Sequence, residues 1–345
     1  MNLLFISKGC PNSLKSAGDV RALRLLEILK EKYDITCWFS SADFGYNEIV
    51  KLGITPVMNG AEWVFEEICS KFKPDVILIS HWSVAQRYMK YIRLRTNVPI
   101  IVDTIDVEFL RLQREHDYRG EHVISQRDVE RVKMQELDIY RQADKIITVT
   151  EIDKNELLRH SRYKINVIPC IFEIKNIEIQ QTNHCYTICN WSHSPNIEAT
   201  KWLCEKIMPK VDVILHIVGK HPPADLTRFT SDKIVFENCV FDLDNFVKDK
   251  FACLAPILWG AGMNGKIGES LSYGIPTITS TIGAMPWGLK DMHNALIGDN
   301  VDVFVGYVNI LLENKTLWKK LSENGKEHMK QYTKDNLKQK ILEII

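Results

Sequence analysis

The chain has 345 residues, more than one ordinary core accommodates and suited to two domains of about 150–170 residues each. Its 44 basic residues balance 44 acidic ones, which argues against a general nucleic-acid binder, whose affinity would rest on a basic face. The 9 cysteines lie apart with no Cys-x-x-Cys pair, and His184, Cys185, Cys189 and His193 do not follow a zinc-site spacing. Reduced thiols, no metal site and a cytoplasmic compartment are expected. The opening MNLLFISKG lacks the basic region of a signal peptide. No apolar run approaches the roughly 20 residues that span a bilayer, so a soluble protein is expected, with peripheral membrane contact left open.

In chain order, residues 1–7 read as a buried strand, KGCPNSLKSAGDVR as a polar loop, and the spacing of Leu23, Leu26 and Leu29 as a helix. Strand 35–39, helix 61–71, strand 76–80, helix 84–95, strand 99–103, helix 125–142, strand 145–150, helix 151–160 and strand 165–168 follow. The strands are apolar without alternation, as strands covered on both faces should be, and their alternation with helices predicts a parallel sheet. The segment around 171–184 is polar and has no helical period. We place a linker at 173–184, between a domain of 1–172 and a domain of 185–330. The alternation then restarts with strand 186–189, helix 197–207 and strands 213–218, 234–236 and 251–255. The tail from 301 reads as helical, broken near Asn314 and Thr333, with 331–345 as a closing helix. Two doubly wound domains in tandem predict a ligand cleft between them at the carboxyl ends of the strands.

The most informative stretch is APILWGAGMNGKIGESLSYGIPTITSTIGAMPWGLK, residues 255–290. A strand ends at Pro256, a glycine loop follows, residues 265–273 have helical spacing, Gly274 stops the helix, and 276–279 is strand-like. A strand, glycine loop and helix present free backbone N–H groups to an anion. Lys266 and Glu269 lie three apart and share a helix face, which pairs a cation for phosphate with a carboxylate for sugar hydroxyls.

In this stretch and three others, NWSHSPNIEATKWL, LHIVGK and VFENCVFDLDNFVKDKFACLAPIL, the second half resembles the donor domain of family 4 glycosyltransferases. PNSLKSAGDVRALRLLEILK and PIIVDTIDVEFLRLQRE resemble segments of that family's first domain, so the likeness spans about residues 1–335. The resemblance implies an α/β GT-B fold of two facing Rossmann-like domains with a deep cleft, and a last helix, 331–345, that crosses back to the first domain. It also implies residue roles. Glu269 matches the second glutamate of a paired motif and would bind the donor ribose. The first glutamate of that pair is absent, since Ala261 stands in its place. Subgroups with a similar GAG-type loop imply instead the backbone N–H groups of Gly262, Met263 and Asn264, with Lys266 as the diphosphate cation. The loop after the domain's first strand has no basic pair. Either His193 or Lys220, beside Gly219, fills in, or Lys266 carries more of the charge. Asn196 reads as a helix N-cap. Backbone around Val240 would read the base.

In the first half, Gly18 matches a glycine that approaches the diphosphate, with Ala17 where many members have another glycine; otherwise it eases the start of its helix. Arg21, one turn on, would meet a phosphate or the solvent. After strand 99–103 many members carry a histidine, and here that place falls on Ile105 or Glu108. Asp106 and Glu108 remain as polar groups at a strand's carboxyl end. They take catalytic roles with Lys266, or cap the next helix and pair with Arg111. His81 lines the site or is structural. Arg111, Arg114, Arg119, Arg127 and Arg131 line an acceptor site or form a solvated face.

The implied function is a retaining, metal-independent glycosyltransferase in glycan biosynthesis. Its donor would be a UDP or GDP sugar, with no further cofactor, and its acceptor a glycan or lipid-linked saccharide. The missing glutamate and histidine keep a catalytically silent nucleotide- or partner-binding module open. A nucleotide-sugar epimerase is the other alternative, although it would want clear acid and base residues in the first domain.

Overall fold

The computed structural model describes residues 1–13, 16–41, 45–58 and 60–345, so positions 14 and 15 of the first polar loop lie outside the described residues. The chain forms two compact units. The first comprises Met1–Ile171, Ala261–Met263 and Lys334–Ile345, and the second Phe172–Gly260 and Asn264–Thr333.

The first unit is built on β1 (Asn2–Gly9), β2 (Asp34–Ser41), β3 (Thr55–Met58), β4 (Val76–Ser80), β5 (Ile100–Asp103), β6 (Lys145–Thr148) and β7 (Ile165–Val167). They form one parallel sheet in the order β3-β2-β1-β4-β5-β6-β7. Leu3, Leu4, Phe5 and Ile6 are all fully buried, as are Ile77, Leu78 and Ile79. This is why these strands show no alternation: both faces carry core. One face packs Leu25, Leu29 and Phe39 with Leu337 and Ile341 of the final helix Lys334–Ile344 and with Ile345 just beyond it. The other packs Trp38, Phe65, Tyr88 and Tyr140. Strand β3 escapes sequence reading because TPVM is a short, half-exposed edge strand, where Pro56 is tolerated. The helix expected after Asp106 and Glu108 has no bounds in the sequence pattern; it is Glu108–Arg119, on which only Phe109 and Glu115 are buried, so its apolar stripe is thin.

The second unit repeats the design with β8 (His184–Ile188), β9 (Ile214–Val218), β10 (Ile234–Glu237), β11 (Ala252–Ala255), β12 (Thr277–Thr279) and β13 (Leu296–Ile297). The parallel order is β10-β9-β8-β11-β12-β13. Strand β13 has two residues, too few for a sequence pattern. The helix expected at 197–207 begins earlier, at Ser194 with Pro195 in its first turn, and runs on from Trp202 into a π turn. In both units the strand order reverses once, between β1 and β4 and between β8 and β11. Ligands of doubly wound sheets bind at the carboxyl ends beside such a reversal. Among the described residues no helix is long and apolar enough to cross a membrane.

Candidate functional site

In the second unit the reversal is flanked by the loops after β8 and β11. Strand β11 is buried throughout, and the chain then reaches helix Gly265–Tyr273. The N-cap of this helix, Asn264, makes no side-chain capping bond; of the first-turn amides that of Ile267 bonds back to Asn264 O at 3.1 Å, and those of Gly265 and Lys266 have no side-chain cap. Gly274 closes the helix in a left-handed conformation, φ 77°. Lys266, in the first turn, is 8% exposed, and its Nζ donates to Asn196 Oδ1 at 2.9 Å. Asn196 in turn donates to the carbonyl of Asn190 at 2.9 Å. Asn196 is therefore not the N-cap that its position after Pro195 suggests. His193 holds that place, because the helix starts at Ser194, and Asn196 is free to tie the two loops together. An amide partner does not neutralise the buried ammonium, so positive charge from Lys266 adds to the positive end of the helix. Glu269 is half-buried one turn on.

The other donor-side candidates stand at carboxyl ends of the same sheet. His193 follows β8, Gly219 and Lys220 follow β9, and Val240 follows β10. Gly219 is required by packing: a Cβ there would lie 2.6 Å from both Cys189 O and Trp191 Nε1. Lys220 is exposed, whereas His193 and Val240 are half-buried. His184 and Cys185 do not meet His193. His184 Nδ1 lies 2.9 Å from His216 Nε2, and among the described residues no group of His, Cys, Asp or Glu is arranged to hold a metal.

Residues Ala261–Met263 pack with the first unit. Gly262 adopts φ 68°, and a Cβ on it would come within 3.0 Å of Asp106 Cβ and Ile105 O. Met263 Sδ accepts from the Cys170 amide at 3.4 Å, and the Gly262 amide lies on the side of the Asp153 carboxylate, where it favours the charged form. Burial pushes Asp153 up to about 6.

The carboxyl ends of β4 and β5 in the first unit carry a connected polar group. Two non-glycine residues there have left-handed backbones, His81 at φ 79° and Ile105 at φ 62°. The latter is costly for a β-branched side chain, about 1–3 kcal/mol, and such conformations concentrate at functional sites. Asp106 Oδ2 accepts from Arg111 Nε at 3.0 Å, and Oδ1 faces His81 Nε2 at 3.8 Å. Glu108 Oε1 pairs with Arg111 Nη2 at 3.0 Å, while Oε2 accepts from Trp82 Nε1 at 2.7 Å. Burial acts to raise Asp106, but the nearby His81 and the charge and hydrogen bond of Arg111 win and hold it below the usual carboxylate range. Burial disfavours the His81 cation, yet Asp106, Glu108 and Glu136 keep its pKa above the ordinary imidazole value. Arg111 is thereby set apart from the other arginines of its segment; Arg127 and Arg131 are exposed.

Arg21 meets neither phosphate nor solvent. It is 2% exposed, forms a buried ion pair with Asp103 at the end of β5, and donates to Ile168 O at 2.8 Å. Its helix turns it inward, towards a partner 82 residues away that no local pattern reveals. Gly18 has no comparable constraint, since a Cβ would make ordinary contact with Ile105 Cγ2 at 3.5 Å. Sequence reasoning also missed Trp82 and Glu136 as parts of the β4–β5 group; their only signal is helical phase.

Residues 183–314 match a family model described as Glycosyl transferases group 1. Among solved structures, a sucrose-phosphate synthase from Thermosynechococcus elongatus aligns with a TM-score of 0.78 at 12% identity, covering 99% of this chain and 97% of its own. HepE from Anabaena in complex with UDP aligns at 0.76 and 15% identity, covering 99% of both chains. A glycosyltransferase from Rickettsia africae ESF-5 aligns at 0.70 and 13%, covering 99% and 97%. No curated protein sequence matches. At such identities the likeness is one of fold, and that fold is GT-B. The chain thus has two Rossmann-like α/β domains of the GT-B type, and its residues 183–314 match the glycosyl transferases group 1 model.

Proposed function

We propose that the protein is a retaining glycosyltransferase acting in the cytoplasm. It moves a sugar from a UDP or GDP sugar to a hydroxyl of a glycan or lipid-linked saccharide. The observation that carries this reading is the buried Lys266 at an uncapped helix N-terminus, with Glu269 on the same helix face. When the anomeric carbon–oxygen bond breaks, its electron pair passes to the diphosphate, and negative charge grows there. Lys266 and the first-turn amides stabilise that growing charge more than the ground state, which lowers the barrier. Glu269 accepts hydrogen bonds from the ribose diol, and backbone around Gly219 and Val240 surrounds the base. The acceptor oxygen forms the new bond to the anomeric carbon, and its proton leaves to the departing phosphate oxygen. On the first unit, Asp106 is held ionised by His81 and Arg111, and with Glu108 it orients sugar hydroxyls. Since Lys266 does the charge work, transfer needs no metal ion, and EDTA should leave the rate unchanged.

Support for a UDP donor comes from the fold relative HepE, which binds UDP and UDP-glucose. The experiment is a melting-temperature screen with UDP, GDP and ADP and their glucose conjugates, followed by chromatography for released nucleotide. A ligand confined to the folded state raises the melting temperature. A stabilising nucleotide sugar that is also slowly hydrolysed supports the transferase. Ala261, where related enzymes carry a glutamate, favours a second reading as a silent nucleotide-binding module; stabilisation without any hydrolysis or transfer would select it.

A further inference from the structure

Beneath the polar group of β4 and β5 lies a carboxylate that the proposed reaction does not use. Glu136, on helix Gln126–Gln142, is fully buried at 0% exposure. Its Oε1 accepts from the Glu108 amide at 3.1 Å and from Tyr140 Oη at 2.6 Å, and its Oε2 accepts from the Phe109 amide at 2.9 Å. Those amides belong to the first turn of helix Glu108–Arg119, whose N-cap, Val107, has no side-chain acceptor to offer. A buried carboxylate is costly unless hydrogen-bonded, and here three donors converge on it. A neighbouring helix therefore supplies the capping group that this helix lacks.

We propose that Glu136 is a positioning residue that clamps the start of helix Glu108–Arg119 and thereby fixes Glu108 and Asp106. The turn it holds is the one in which Ile105 is forced to positive φ, a conformation that persists only when its surroundings over-determine it. The clamp depends on ionisation. Protonation puts an O–H donor on an oxygen that already faces an N–H or O–H donor, so at least one bond is lost or must rearrange. Burial pushes Glu136 up to about 7, with the bonds from Tyr140 and the amides opposing and the charge of Asp106 reinforcing. His81 also faces this position, and Glu108 meets it through its backbone amide. The clamp is complete above about pH 7 and partial below it. The consequence for activity rests on the glycosyltransferase reading, but the clamp itself does not.

The test uses the full chain and Glu136→Gln, with hydrogen exchange of residues 104–112 followed by mass spectrometry from pH 5.5 to 8.5. After division by intrinsic rates, the wild type should gain about tenfold protection as pH rises through about 7. Glu136→Gln should lack that step and resemble the low-pH wild type throughout. UDP-glucose hydrolysis should fall about tenfold in kcat in the variant with UDP affinity unchanged. Equal protection and an equal pH response in the two proteins would overturn the proposal. Absence of hydrolysis in the wild type would count against the transferase reading only, since exchange still reports on the clamp. Should Glu136→Gln fail to fold, Tyr140→Phe, which removes one of the three donors, should shift the protection midpoint upward; an unshifted midpoint would overturn the proposal equally.

Discussion

Two turns in this molecule run from a buried parallel strand into a helix, and they treat the first amides of that helix in opposite ways. After β5 the amides of Glu108 and Phe109 are taken by Glu136, so that helix end is closed by the protein's own carboxylate. After β11 the cap Asn264 makes no side-chain capping bond, only the Ile267 amide turns back, to Asn264 O at 3.1 Å, and the nearby buried side chain is the cation Lys266 rather than an anion. The same backbone motif is thus satisfied internally in one unit and left ready for an external anion in the other. A strand–glycine–helix signature does not by itself identify a phosphate site; what packs against the helix start decides.

The largest test of this contrast is Lys266→Met. Removing a preorganised donor to developing negative charge costs about 2.7–4 kcal/mol in barrier height, so transfer or donor hydrolysis should fall about 100- to 1,000-fold. The folded protein should also lose about 1–3 kcal/mol in denaturant unfolding, because Asn196 Oδ1 is left without its buried donor. Wild-type kinetics in this variant would remove the functional half of the contrast. Glu269→Ala comes next. Loss of hydrogen bonds to a charged group, about 1.5–3 kcal/mol, should weaken nucleotide binding by roughly 10- to 150-fold in calorimetry. Unchanged affinity would show that the ribose lies elsewhere.

Gly262→Ala tests the loop instead. A methyl group at φ 68°, within 3.0 Å of Asp106 Cβ and Ile105 O, should cost about 1–3 kcal/mol of stability, read as a lower denaturant midpoint. A neutral outcome would mean that this loop yields more readily than its packing indicates.

These residues also show where sequence is legible. The β-α alternation, the parallel sheets and the helix at 265–273 are local patterns, and they emerge where expected because burial on both faces leaves apolar runs. Lys266, Glu269 and Asp106 were visible as residues, since each sits beside a strand end or glycine loop. Their partners were not. Arg21 finds Asp103 and Lys266 finds Asn196 across 82 and 70 positions, and such pairings depend on how helices roll on the sheet. Glu136 was invisible for the same reason: within helix 126–142 it is one more acidic residue among several. Short edge strands and a helix with a thin apolar stripe lack the period that betrays an element.

The smallest effect belongs to His81, which sits against the closed turn. Its folded pKa is raised, because Asp106, Glu108 and Glu136 outweigh burial. It therefore stabilises the fold fully below its unfolded pKa of about 6.5, and this contribution is lost as pH rises through the higher folded value. Asparagine is a good N-cap and can take over the bond that His81 Nδ1 accepts from the Ser83 amide, so His81→Asn removes the charge and keeps the cap. The stability gap between wild type and His81→Asn should then be larger at pH 5.5 than at pH 8.5. The pair spans 3.8 Å with the imidazole 26% exposed, so screening should keep the change below about 1 kcal/mol. Glu136 titrates in both proteins, so most of its own pH dependence cancels in the difference. A gap that does not vary with pH would mean that Asp106 is held by Arg111 alone, and that the closed turn keeps its charge order without the histidine.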